Sequence, residues 1–367
     1  MAVTSLPGTR AEIELSTGEL IGALGDSITV LPLLVALAAT TSVSLAHVLV
    51  GFGVFQIVWG LVYGMPLSLE PMKALAGLAI VGALSYPELA AAGLLCGLVL
   101  LVGARFGLVG RIQRVVGAPV VRGIQLAVAL LLLEAALSLS VADPSLALAG
   151  VALVAGCVLA GRFRASALVV LGVGSLAAVA VTGLPTPRLP ALTLFPAGTP
   201  SFSRGALEGT VAQLGMTVGN AAIATSLLCA DLYDRKVSPD DLSRSMGVTC
   251  LAAVPFGAIP MCHGSGGLAG KHAFGARTAG ANLVLGVGYL ALALVAVGAL
   301  LAAFPMALLG VLLAVVGVEL ARAALAPIGT RAGFAAVVGV GLLGLVVNVG
   351  VAFLLGALAW WLLERRR

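Results

Sequence analysis

Charge is what this chain has least of. Only 10% of its 367 residues are Asp, Glu, Lys or Arg, where a soluble domain carries about 25%. Aromatic residues are also few, at 5%, yet hydrophobic residues as a whole reach 60% and the mean hydropathy is +1.16. That much apolar surface cannot be hidden inside one water-soluble core, so the chain reads as an integral membrane protein. Apolar runs cover most of residues 18–363 with only short polar gaps, which leaves no room for a sizeable soluble domain. Function must therefore sit among the helices.

Other scarcities exclude further classes. The five cysteines, Cys96, Cys157, Cys229, Cys250 and Cys262, are odd in number and form no CxxC pair, so they suggest neither a disulfide framework nor a zinc site. They read as packed, inert thiols. Histidine occurs three times without visible ligand partners, and no metal or cofactor is expected. Gly264-Ser-Gly-Gly-Leu-Ala-Gly270 imitates a dinucleotide fingerprint, but no alternation of strands and helices surrounds it and no acid lies near residue 290. No nucleophile–base–orienter set is present, which argues against an enzyme. The first 17 residues lack an apolar core, so no cleavable signal peptide is expected.

The net charge of +5 comes from basic residues scattered singly through short gaps, not gathered on one face, so nucleic acid is not the expected partner. Dividing the chain into fourteen spans puts 17 of the 20 basic residues in the even-numbered gaps and at the termini. Arg188 and Arg204 fall in the odd gaps, and Lys73 alone lies inside a span. In this division Lys271 and Arg277 belong to a gap. The split predicts a multi-pass protein of the cell membrane, plasma or inner, with both termini cytoplasmic.

A comparison of the chain with itself at a shift of 194 residues aligns Leu24-Gly25-Asp26 with Val218-Gly219-Asn220 and Pro66 with Pro260. Seven spans per half is an odd number, so the halves must cross the bilayer in opposite senses, as an inverted repeat. The expected fold is thus an all-α polytopic membrane protein of about fourteen segments, seven plus seven. Residues 1–182 form the first repeat, the Pro-rich stretch 183–205 an extracellular linker, and 206–367 the second repeat. Glycine, at 48 residues, fits close packing of helices through small side chains.

Two Gly/Pro-punctuated segments at matching repeat positions, Tyr63–Gly77 and Phe256–Gly270, interrupt the apolar pattern. Paired breaks of this kind point to a substrate site at membrane depth, because each starts a half-helix whose end can face a ligand. Pro71 at a first helical position would leave the N–H groups of Met72, Lys73 and Ala74 unpaired. In the second segment, His263, Gly264, Ser265, Gly266 and Gly267 let backbone approach a ligand, and the helix from about Leu268 supplies more donors. Two positive helix ends facing each other at the third and tenth spans make an oxyanion cradle. Lys73 adds a charge that is costly in hydrocarbon and hence a functional candidate, or else a structural partner of Glu70.

Asp26 and Glu70 are the candidates for proton coupling; a buried Asp26 carries protons only if no cation holds it ionised. Asn220, the repeat partner of Asp26, and Gln125 complete the substrate-binding candidates. For Gln125, Thr217 and Asn348, hydrogen bonding between helices competes with that role. His263 suits a hydrogen bond to substrate or a proton-linked switch.

These residues resemble those of the molybdate transporters of the plant and microbial molybdate permease family, relatives of the sulfate permeases. The likeness rests on Gly18-Glu-Leu-Ile-Gly-Ala-Leu-Gly-Asp26, Met65-Pro-Leu-Ser-Leu-Glu-Pro-Met-Lys73, Pro119-Val-Val-Arg-Gly-Ile-Gln125 and Pro260-Met-Cys-His-Gly-Ser-Gly-Gly-Leu-Ala-Gly270 followed by Phe274-Gly-Ala-Arg277. It implies a core domain and a gate domain, an oxyanion held between the third and tenth spans, and an elevator-like shift. It also implies that the cytoplasmic regulatory domain of many sulfate permeases is missing, and a homodimer. Family members usually show Gln where this chain has Glu70; a carboxylate there repels a dianion unless it is protonated or paired with Lys73.

The expected function is secondary import of a tetrahedral oxyanion, molybdate first, then sulfate and tungstate, with proton symport. A carrier of a nucleobase or other organic anion, an anion channel and a membrane-embedded enzyme using His263, Cys262 and Asp26 remain the alternatives.

Overall fold

A computed structural model describes residues 13–109, 117–191, 193–326 and 328–365. Of the basic residues in the charge split, Arg10, Arg111, Arg114, Arg366 and Arg367 lie outside them. The regular structure of the described residues is helical apart from two three-residue strands.

The first half contains α1 (Thr17–Thr40), α2 (Leu45–Tyr63), strand β1 (Leu69–Pro71), α3 (Lys73–Ile80), α4 (Tyr86–Arg105), α5 (Ala118–Ser140), α6 (Pro144–Leu159) and α7 (Ser166–Thr182). The second contains α8 (Arg204–Tyr233), α9 (Pro239–Ala253), strand β2 (Met261–His263), α10 (Ser265–Ala273), α11 (Gly280–Val295), α12 (Met306–Ala324), α13 (Arg331–Val346) and α14 (Val349–Arg365), with a single helical turn at Gly298–Ala302. Six helices, α1, α2, α4, α5, α8 and α12, are long and apolar enough to cross a membrane; α6, α7, α11 and α13 are apolar but shorter.

Local chemistry sets the helix ends. Ser85 and Glu88 form a reciprocal capping box at α4, while Ser238, with Pro239 behind it, caps α9. Gly64, in the left-handed conformation, stops α2 just before the first broken segment. The Pro-rich stretch between α7 and α8 runs as coil across other elements: Arg188 N–H donates to Leu294 O, Phe195 N–H to Pro255 O and Ser201 N–H to Pro87 O.

Small residues carry the closest helix crossings. A Cβ on Gly53 or Gly286 would meet the other glycine's carbonyl oxygen at under 3.0 Å, which brings α2 onto α11. Between α4 and α9, a Cβ on Gly247 would meet Gly97 O at 2.8 Å, and one on Gly97 would meet Gly247 O at 3.2 Å. Neither crossing admits a side chain, so part of the glycine content is fixed by packing.

A candidate anion site between two broken segments

The two interrupted segments pair with each other. β1 and β2 run antiparallel, with Leu69 opposite His263, Glu70 opposite Cys262 and Pro71 opposite Met261. Met72 N–H donates to Pro260 O at 2.9 Å and Gly264 N–H to Ser68 O at 3.3 Å, which extends the ladder by one bond at each end. Backbone without helical partners is tolerated at membrane depth only where protein satisfies it, and this miniature sheet does so. α3 and α10 leave from its two strands.

The helix starts differ from those expected. Pro71 lies in the strand, Met72 is the N-cap and α3 begins at Lys73; α10 begins at Ser265, earlier than Leu268. Pro71 is held in β1, opposite Met261, by the ladder bond that its neighbour Met72 donates to Pro260 O. The amides of α3 are also engaged, because the Gln213 side chain of α8 accepts from Ala74 N–H at 2.9 Å and from Leu75 N–H at 3.3 Å. Of the three amides expected to face a ligand, those of Met72 and Ala74 thus have protein acceptors.

At α10 the acceptor is Glu70. Its Oε1 takes the Gly267 N–H at 2.9 Å, and its Oε2 pairs with Lys73 Nζ at 2.5 Å. Glu70 is 2% exposed, whereas the Lys73 side chain keeps 19% exposure. Both glycines of this turn are required by contact: a Cβ on Gly264 or Gly267 would lie closer than 3.0 Å to the Glu70 carboxylate.

A second ion pair lies directly behind. Lys271, in α10, is completely buried and places Nζ 3.0 Å from Asp26 Oδ2 of α1. Lys271 is therefore no loop cation. It follows Gly267 by one helical turn on the same face, and Gly267 faces Asp26, so the side chain comes to lie alongside that carboxylate. Lys271 Nζ also donates to Asn282 Oδ1 at 2.6 Å and Gln56 Oε1 at 3.4 Å. Asp26 accepts from Ser68 Oγ at 2.6 Å and Gln56 Nε2 at 3.3 Å. Asn282 Nδ2 completes the network by donating to the carbonyls of Gln56 and Leu67. Lys271 thus places a counter-cation against the Asp26 carboxylate, the circumstance under which Asp26 was not expected to carry protons.

His263 is fully buried, with Nδ1 at 3.2 Å from Ser68 O and Nε2 at 2.7 Å from Ser245 Oγ. A carbonyl only accepts, so Nδ1 carries the proton and Nε2 faces the serine hydroxyl. Tyr63 O–H donates to the same Ser245 oxygen, and the rings of Trp59 and Tyr63 meet the imidazole edge-on. Both ring nitrogens are thus engaged by protein, and the side chain fastens the strand pair to α9.

Asn220 and Gln125 are brought together elsewhere. They line a cavity of about 230 Å³ between α5 and α8, with Val121, Arg122, Val218 and Gly219. Arg122 also donates to Ala326 O at 2.9 Å. Along Thr217–Ala224 helix α8 widens into a π-helix, a distortion frequent at functional sites. There Asn220 Oδ1 accepts from Ser265 Oγ at 2.6 Å, which links the cavity to the first residue of α10. Thr217 instead receives the Gln213 side-chain amide, and Asn348 Nδ2 donates to Glu208, so both bond between or along helices.

Sequence reasoning missed Lys271, Gln56, Ser68, Asn282 and Gln213. The one available signal was helical spacing from Gly267 to Lys271; nothing local marks the others.

The chain's similarities to known proteins agree with this architecture. The family described as "Molybdate transporter of MFS superfamily" matches residues 18–132 and 205–320. Molybdate transporter 1 of Arabidopsis thaliana is 31% identical, with 78% of this chain and 75% of that protein covered. Molybdate transporter 2 of the same plant is 28% identical, over 76% and 72%. In fold, the transmembrane domain of a cyanobacterial bicarbonate transporter, BicA, superposes with a TM-score of 0.70 at 18% identity, covering 92% of this chain and 97% of its own. SLC26A9 gives 0.71 at 14% identity, covering 95% and 65%. These relatives are transporters, not enzymes, and the chain belongs to the molybdate transporter family.

Proposed function

We propose that this protein is a secondary active transporter that imports a tetrahedral oxyanion, molybdate in the first place and sulfate or tungstate next. The single observation that carries the proposal is the antiparallel meeting of β1 and β2, which aims the starts of α3 and α10, with Lys73, at one region inside a family of anion carriers. The names of the Arabidopsis relatives support molybdate as the first choice among oxyanions.

The substrate is proposed to bind near Pro71, Met72, Lys73 and Ala74 on one side and His263, Gly264, Ser265, Gly266 and Gly267 on the other. The cavity beside Asn220 and Gln125 provides its route or its resting place. Proton coupling is part of the proposal, with Glu70 as the carrier, since its partner Lys73 keeps 19% exposure whereas Asp26 and Lys271 are both completely buried.

A seven-plus-seven inverted repeat with core and gate domains is supported by the way helices pair. α2 packs on α11 while α4 packs on α9, and α1 meets α10 while α3 meets α8; exchanging halves turns each pair into the other. An elevator-type shift of one domain past the other fits the small residues at these crossings. We place the protein in the cell membrane with both termini cytoplasmic, and propose a homodimer.

The test is uptake of labelled molybdate into proteoliposomes, with sulfate, tungstate, selenate and uracil as competitors. Saturable uptake that internal molybdate accelerates supports an alternating-access carrier. Failure of every oxyanion to bind or move overturns the proposal, and uptake without such acceleration indicates a channel.

A further inference from the structure

Four ionisable side chains, two acidic and two basic, line up through the turn at Gly267, and one of them sits where a ligand would. Lys73 pairs with Glu70, Glu70 accepts the Gly267 amide, and beyond Gly267 Asp26 pairs with Lys271. Glu70 Oε1 and Asp26 Oδ1 both lie closer than 3.0 Å to the point a Gly267 Cβ would occupy. The two carboxylates therefore face each other across one glycine, balanced by an ammonium on each side, and the set is neutral. Its halves are not equivalent. Asp26 is saturated by Ser68, Gln56 and Lys271 and is fully buried. Glu70 uses its two oxygens on Lys73 Nζ and a helix N-terminal amide, a cation and a backbone donor of the kind that bind oxyanions.

We infer that the Glu70 carboxylate is a resident anion that occupies the substrate's own donors, and that an oxyanion enters only as Glu70 takes up a proton and gives up Lys73 and the Gly267 amide. This inference rests on the proposed oxyanion site and specifies how that site is emptied and charged. With Glu70 ionised the quartet is neutral, and an incoming dianion meets a carboxylate already in place. With Glu70 protonated the quartet carries one positive charge, Lys73 is unpaired and the amide of Gly267 is released. Substrate and proton then bind together, which is the requirement for symport. The titratable groups that face Glu70 are Lys73 from α3, Asp26 from α1, Lys271 from α10, Cys262 from β2 and Tyr289 from α11. Of these, Asp26 and Lys271 are matched to each other, which leaves Glu70 as the group whose charge the ligand replaces.

The test measures molybdate binding calorimetrically on the purified full chain at several neutral to alkaline pH values, for the wild type and for Glu70→Gln, and records proton uptake in weakly buffered solution. One proton taken up per molybdate makes the wild-type affinity fall about tenfold for each pH unit of alkalinisation over the range in which Glu70 is ionised in the free protein. Glu70→Gln is expected to bind with an affinity that is flat with pH and no weaker than that of the wild type at its most acid point, and to take up no proton. Proton uptake by the wild type needs no variant: molybdate binding without it overturns the inference. So does a Glu70→Gln protein that keeps the wild-type pH slope. If neither protein binds any tetrahedral oxyanion at any pH, the reading of the site itself is overturned.

Discussion

Removing both members of the Asp26–Lys271 pair should cost far less than the sum of removing each alone. Both side chains are completely buried, with Nζ and Oδ2 3.0 Å apart. In Asp26→Asn, Lys271 keeps only the neutral oxygens of Asn282 at 2.6 Å and Gln56 at 3.4 Å. An uncompensated buried charge of this kind costs about 3–5 kcal/mol. Lys271→Met leaves Asp26 with Ser68 and Gln56 as donors and no counter-charge, and falls in the same range. In the double variant no charge remains. The amide oxygen that Asp26→Asn introduces still accepts from Ser68, but its NH2 group then meets Gln56 Nε2, donor against donor, and Asn282 Oδ1 loses its Lys271 donor, so about two hydrogen bonds, or about 2–4 kcal/mol, are lost. The double variant should therefore lose about 2–4 kcal/mol, far less than the about 6–10 kcal/mol of the two singles added together. Equilibrium unfolding of the purified proteins in mixed micelles, run as a double-mutant cycle, checks this. Single variants within about 0.5 kcal/mol of the wild type, or a double variant as unstable as the two singles added together, would refute the reasoning.

Other substitutions separate packing from ligand contact. Gly267→Ala drives a methyl into Ser68, Asp26 and Glu70 and should lose about 1–3 kcal/mol of stability together with transport, whereas Gly270→Ala, with nothing within 4 Å, should be tolerated in the same thermal and flux assays. Gln213→Leu orphans two buried amides of α3 and should cost about 1–3 kcal/mol, while Gln213→Glu keeps an acceptor and should cost less, as thermal unfolding will report. Lys73→Ala should abolish oxyanion binding by calorimetry, while Lys73→Arg, which keeps a cation beside Glu70, should retain it; oxyanion binding that survives Lys73→Ala would show that Lys73 is not among the substrate's donors.

Much of this protein was readable without coordinates. Low charge and continuous apolar runs forced the chain into a membrane, because no core of this size could hide that surface. Gly and Pro at matching positions marked where helices must break, since those residues act on the local backbone wherever the chain goes. The spacing from Glu70 to Lys73 already allowed the ion pair that forms between them.

What sequence could not supply were the partners that close each polar group. Lys271 lies in a short stretch that reads as a polar gap, and only the fold of α10 against α1 buries it beside Asp26. Gln213 is one more polar residue in a span until α8 brings it to the start of α3. His263 was marked by its place in the broken segment, but that Ser245 and Ser68 bond its two nitrogens is a matter of tertiary contact. Where the helices break, and backbone donors are left without helical partners, follows from neighbouring Gly and Pro residues alone. Which of those donors the protein keeps for itself was decided by tertiary structure, because hydrogen bonds and ion pairs between distant segments depend on packing that no local pattern encodes.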